Sequence, residues 1–229
     1  MTNIKNLEDK RNIEGKRILL RVDFNVPIND GSITESSRIK KVLPTIKSLI
    51  NRKAKIIIIS HLGRPKGKLD PKLTLKPIAK KLSDCLNQDV FFLDSCVGEN
   101  VIKKSKEIPN GSVLLLENLR FFMEEESNSG SFAKELAKNG DIYINESFSC
   151  SHRAHASVSE ITKYIDSYVG KIMLEEINII KMLTDNAKKP VTCIIGGSKI
   201  STKTGVLNNL IKKMNNIVIV GAMANNFLK

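Results

Sequence analysis

Two short runs restrict the fold more than anything else in the chain: Ile56–Ile59 in "KIIIIS" and Val113–Leu116 in "SVLLLEN". A strand turns successive side chains to opposite faces, so an all-apolar strand must be covered on both sides. "RILLRVDFNV" and "DIYINES" read the same way. Amphipathic helical spacing lies between such runs: over 35–52, in "LTLKPIAKKLSDCL", in "GSFAKELAKN" and near "YVGKIMLEEINIIKMLTDN". In the first of these, Thr34 is the expected cap and Pro44 the expected bend or restart. "DVFFL" adds a strand, and "PVTCIIGG", "STKTGVLNNLIKKM" and "NIVIVGAM" give strand, helix and strand once more, with "MANNFLK" reading as a helix start. Strands that alternate with helices and are buried on both faces predict an α/β fold. It should be a Rossmann-like, three-layer parallel sheet with helices on both faces, followed by the beginning of a second α/β domain.

The expected division is 1–167 for the first domain, 168–188 for an interdomain helix or hinge, and 189–229 for an incomplete start of the second. Hydrophobic residues at 41% and charged residues at 27% belong to an ordinary globular chain. No apolar run approaches the roughly 20 residues of a membrane span. The first residues lack the apolar core of a secretory signal, and the four cysteines lack metal or redox spacing, so a cytoplasmic location is expected. The net charge of +13 is spread along every segment, which reads as solvated lysine surface rather than a nucleic-acid stripe.

Arginine is more telling than lysine, because the chain has only eight. In a lysine-rich chain an arginine marks a place where a planar, two-pronged donor is needed. Five of the eight lie in "RVDFN", "SSRIKK", "HLGRP", "ENLRFF" and "SHRAH". Ligands of parallel α/β sheets collect beyond the carboxyl ends of the strands. The first predicted strand itself delivers Asp23 and Asn25, while His61 and Arg64, Arg120, and Arg153 each follow a predicted strand, and Arg38 opens the helix after the first. Such a crater suits a small ligand carrying phosphate and carboxylate groups. A second, weaker candidate is "IIGGSKISTKTG": Gly196 and Gly197 allow close backbone approach, and Lys199 and Lys203 bring charge to a helix start, but the spacing is not that of a P-loop.

Together, "RVDFNVP", "SHLGRPKG", "LLLENLRF", "DIYINESF" with "SHRAHAS", "IIGGSKISTK" and "GAMANNFL" resemble phosphoglycerate kinase in order and spacing over essentially all 229 residues. The resemblance implies a monomeric phosphotransferase of glycolysis, built of two Rossmann-like domains. It would move phosphate between 1,3-bisphosphoglycerate and ADP to give 3-phosphoglycerate and ATP, with Mg2+ arriving on the nucleotide. It implies Asp23, Phe24, Asn25, Arg38, His61, Leu62, Gly63, Arg64, Arg120 and Arg153 as substrate binders. Gly196, Gly197, Lys199 and Lys203 would serve the nucleotide, with Arg38 and Lys199 catalytic. Protein ligands for the metal are expected outside this chain, as is most of the nucleotide domain, so the chain alone is expected to bind without turning over. Two departures from the family pattern stand out. Ser149 replaces a glycine, and Val220 and Ala222 flank Gly221 where three glycines are usual. The competing reading is a non-catalytic anion or polyanion binder of the same fold.

Overall fold

The computed structural model describes residues 4–7, 12–29, 31–185, 187–197 and 204–227. They divide into two compact units, 1–175 and 176–229. In the first, β1 (Arg17–Arg21) is followed by a two-residue hairpin, β2 (Ile28–Asn29) and β3 (Ser32–Ile33), and then by α1 (Ser37–Asn51). Next come β4 (Lys55–Ile59), α2 (Lys76–Leu86), β5 (Val90–Leu93), α3 (Glu99–Glu107) and β6 (Val113–Leu116). The short α4 (Met123–Glu126) and α5 (Gly130–Ala137) lead to β7 (Ile142–Asn145) and β8 (Ser167–Val169). The six longer strands form one parallel sheet in the order β5-β6-β4-β1-β7-β8.

The apolar runs do what their composition demands. Ile18, Leu20, Ile56, Ile58, Val113, Leu115, Ile142 and Ile144 point to one face, where they meet Ile39, Val42, Ile46 and Leu49 of α1 and Ile78 and Leu82 of α2. Leu19, Ile57, Ile59, Leu114, Leu116 and Tyr143 point to the other, against Val101 of α3 and Phe132, Ala133 and Leu136 of α5. Two buried layers flank one sheet, as strand periodicity requires.

Local differences from the sequence reading have local causes. Helix α1 runs unbroken through Pro44, and its N-cap is Ser36 rather than Thr34, whose hydroxyl bonds Pro27 O instead. Helix α3 escapes the periodicity rule because it buries little beyond Val101 and Ser105 among lysines and glutamates. Tyr168 and Val169, expected in the long helix, belong to β8, which pairs with β7. Gly170 then turns the chain into α6 (Lys171–Asp185).

The second unit pairs β9 (Thr192–Gly196) in parallel with β10 (Asn216–Val220), the two joined through α7 (Thr204–Ile211). A 3-10 turn over Gly221–Phe227 stands where a helix start is expected. Among the described residues no helix is long and apolar enough to cross a membrane.

Candidate functional site

Beyond the carboxyl ends of β1, β4, β6 and β7 lies a cavity of about 260 Å³, near the small end of the range for small-molecule sites. It is lined by Asp23, Asn25, Arg38, His61, Gly63, Arg64, Arg120, Ser149, Cys150 and Arg153. Residues from five separate stretches of sequence therefore meet in one place. Four guanidinium groups and one carboxylate line it, so its charged lining is predominantly positive, a field that attracts anions.

Each side chain is held by a definable contact. Asp23 Oδ1 accepts from the backbone N–H of Asn25 at 3.0 Å. Its Oδ2 accepts from Arg38 Nη1 and from Ser149 Oγ, both at 2.5 Å. Asp23 is thus ion-paired with Arg38. Asn25 Oδ1 accepts from the backbone of Gly63 at 2.9 Å, and Gly63 O accepts from Arg120 Nη1 at 2.6 Å. Gly63 has a φ of +62°, and a Cβ there would stand 2.7 Å from Leu73. Only glycine fits that position without strain. Arg120 Nε lies 3.2 Å from Glu126 Oε1, too poorly aligned for a hydrogen bond. Arg153 donates from Nε to His152 Nε2 at 3.1 Å, and Arg64 is exposed at the rim.

Two expected binders do not line the cavity. Phe24 and Leu62 bury their side chains in the core. They are fixed instead through their backbones: Phe24 N–H donates to Ser60 Oγ, and Leu62 exchanges bonds with the side-chain amide of Asn118. In the second unit Gly196 ends β9, where a Cβ would meet Val220 at 2.8 Å, and Gly197 O accepts from Met223 N–H at 2.9 Å. Lys199 and Lys203 lie outside the described residues.

A profile of the family described as phosphoglycerate kinase matches residues 7–229. The chain belongs to the phosphoglycerate kinase family. A phosphoglycerate kinase of Bartonella bacilliformis is 48% identical over 220 residues, which cover 96% of this chain and 55% of that protein. One from the Wolbachia of Brugia malayi is 49% identical over 228 residues, covering 100% and 57%. The structure of phosphoglycerate kinase from Coxiella burnetii aligns at a TM-score of 0.87 and 35% identity, over 99% of this chain and 57% of that one. The chain thus spans little more than half the length of the curated relatives it matches.

Against the phosphoglycerate kinase pattern, the serine at 149 is no mere turn residue, because its hydroxyl holds Asp23. Sequence reasoning marked it only as a departure from the family pattern, not as a residue of the cavity, and it missed Cys150 beside it. Neither residue type carries a signal at that spacing.

His61 is the one histidine that lines the cavity. Burial above all, then the charges of Arg21, Arg120, Arg153 and His155, hold its imidazole far below the ordinary range. His155 is lowered too, with burial outweighing the pull of Glu125. Unfolded, both would titrate near the ordinary 6.5. Below that pH the unfolded chain binds protons that the folded chain refuses, so stability is whole above about 6.5 and falls as the pH drops below it. For His61 the slope is about 1.4 kcal/mol per pH unit. Urea midpoints at pH 7.5 and 5.5 should differ accordingly, and His61→Gln should remove that share of the difference. An equal pH dependence in the variant would show that His61 stays chargeable in the fold.

Proposed function

We propose that the cavity holds 3-phosphoglycerate, or the matching part of 1,3-bisphosphoglycerate, and that the family's reversible phosphoryl transfer to ADP, giving ATP, is the reaction this site serves. The observation that carries the reading is the set of four arginines on separate segments lining one cavity with a single carboxylate among them. Guanidinium forks match phosphate and carboxylate oxygens in pairs. Asp23 and Asn25 would accept from the ligand's hydroxyl, His61 would donate to an anionic oxygen, and Arg64, Arg120 and Arg153 would neutralise its charge. Gly63 would leave room for close backbone approach. Phosphoryl transfer asks chiefly for alignment and charge neutralisation, so Arg38 is assigned to the moving phosphoryl group, and Lys199, by resemblance, to its nucleotide side. Gly196, Gly197 and Lys203 are assigned to the nucleotide in the same way.

Among the described residues no three His, Cys, Asp or Glu side chains stand together to hold a metal ion. Magnesium is assigned, by resemblance to the family, to the incoming ADP or ATP, and the roles above call on no metal ligand from this chain. The 229-residue chain alone is proposed to bind the triose without turning over, as a monomer. It spans 55–57% of the length of its relatives.

Calorimetric titration of 3-phosphoglycerate at near-physiological salt tests this reading. One-to-one binding is expected, with Arg38→Ala weakening it about 100-fold through the loss of charge-assisted bonds. No heat from the folded chain would sink the proposal. So would binding of single-stranded nucleic acid whose affinity falls with salt at a log–log slope of about −0.7 per phosphate.

A further inference from the structure

The cavity accounts for Arg38, Arg64, Arg120 and Arg153 but leaves the most deeply buried arginine without a task. Arg21 closes β1 and is only 1% exposed. A guanidinium so buried must have partners for its donors and its charge. Nε donates to Ser157 Oγ at 2.9 Å, Nη1 donates to Val22 O, and Nη2 lies 3.1 Å from His61 Nδ1. Behind Ser157 stands Glu125 of α4, with no exposed surface. Its Oε1 accepts the Ser157 hydroxyl at 2.6 Å, and its Oε2 accepts the Ser157 backbone N–H at 2.9 Å.

The direction of every bond in this chain follows from chemistry. The hydroxyl has one proton, committed to the carboxylate, so its oxygen is free to accept from Arg21. A guanidinium can only donate, so His61 Nδ1 must offer its lone pair. The imidazole proton is then on Nε2, the nitrogen 4.0 Å from Asp23 Oδ1 on the cavity side. We propose that Glu125, Ser157 and Arg21 are positioning residues that hold His61 as the Nε2–H tautomer, so that it presents a neutral N–H donor to the bound anion. None of the three lines the cavity.

The other tautomer would turn a lone pair toward an anionic oxygen and repel it. The charged or titratable groups facing His61 are Arg21, Arg120, Arg153, His155 and Asp23. Cations dominate this set, so the donor must come from a neutral ring. The consequence for ligand binding rests on the 3-phosphoglycerate reading above; the tautomer does not.

The test is nitrogen-15 NMR of the imidazole groups in the ligand-free, labelled 229-residue chain, paired with calorimetric titration of 3-phosphoglycerate. His61 should show a pyridine-type Nδ1 and a pyrrole-type Nε2 from pH 5 to 8. Ser157→Ala, which touches neither His61 nor the cavity, should shift the Nδ1 signal and weaken binding about tenfold. Arg21→Met should bring His61 into titration as the pH is lowered and weaken binding further. A proton on Nδ1, an imidazolium at neutral pH, or unchanged His61 signals in Ser157→Ala would overturn the relay, whatever binds. The expected tautomer in a chain that ignores 3-phosphoglycerate would overturn the reading of the cavity instead and leave the relay standing. Should Arg21→Met fail to fold, Ser157→Ala decides the matter by itself.

Discussion

Gly170→Ala should destabilise the first unit by about 4 kcal/mol, nearly half the stability of a typical domain. A Cβ at Gly170 would stand 2.1 Å from the carboxyl carbon of Glu146 and 2.3 Å from its Oε1. That carboxyl has nowhere to go. Its Oε1 accepts the Thr45 hydroxyl at 2.6 Å, and its Oε2 accepts the Met173 backbone N–H at 3.0 Å at the start of α6. Burial already pushes the Glu146 carboxyl above the usual range, against the pull of those bonds. Gly170 cannot retreat either, since its N–H is tied to Asn145 O at 3.0 Å. Urea denaturation measures the loss, and a double-mutant cycle identifies the cause. In a Glu146→Ala background the same glycine substitution should cost less than about 1 kcal/mol. An undiminished cost there would place the strain in the backbone rather than in the clash.

The second large effect is expected at Asn118, which is fully buried between β6 and the cavity. Its Oδ1 accepts from the backbones of Leu62 at 3.2 Å and Arg120 at 3.1 Å. Its Nδ2 donates to Leu62 O at 2.8 Å and Leu73 O at 2.9 Å. One amide thus ties the His61–Arg64 loop to the segment that carries Arg120. Asn118→Ala would leave four backbone groups, three buried and one part-buried, to find new partners, at about 1 kcal/mol each and about 4 kcal/mol in all. On the proposed reading of the cavity, binding of 3-phosphoglycerate should fall with it, because Gly63 and Arg120 would no longer be held in register. Asn118→Asp, the same shape, should be about as damaging, since a carboxylate oxygen would then face two carbonyls. Denaturation midpoints and calorimetric titration of both variants check this. A mild Asn118→Asp would mean that the two donated bonds contribute little.

Much of the architecture can be read from spacing alone. Four isoleucines in a row leave no choice but a strand covered on both faces, and the rarity of arginine against so many lysines singles out the segments that meet in the cavity. What spacing cannot show is direction. Arg21 and Arg38 look alike along the chain, yet one turns inward to Ser157 and His61 while the other pairs with Asp23. In "MEEES" the middle glutamate of three is wholly buried and the one on either side of it exposed, because Ser157, 32 residues on, packs against that turn. Phe24 and Leu62 sit inside the motifs that form the cavity, just beyond the ends of β1 and β4, yet their side chains pack in the core. Composition and periodicity by themselves determined the sheet, its two layers and the strand ends whose residues line the cavity. The tertiary structure alone decided which arginines line the cavity and which buried groups stand behind His61, because those bonds join residues far apart in the chain whose pairing leaves no local pattern.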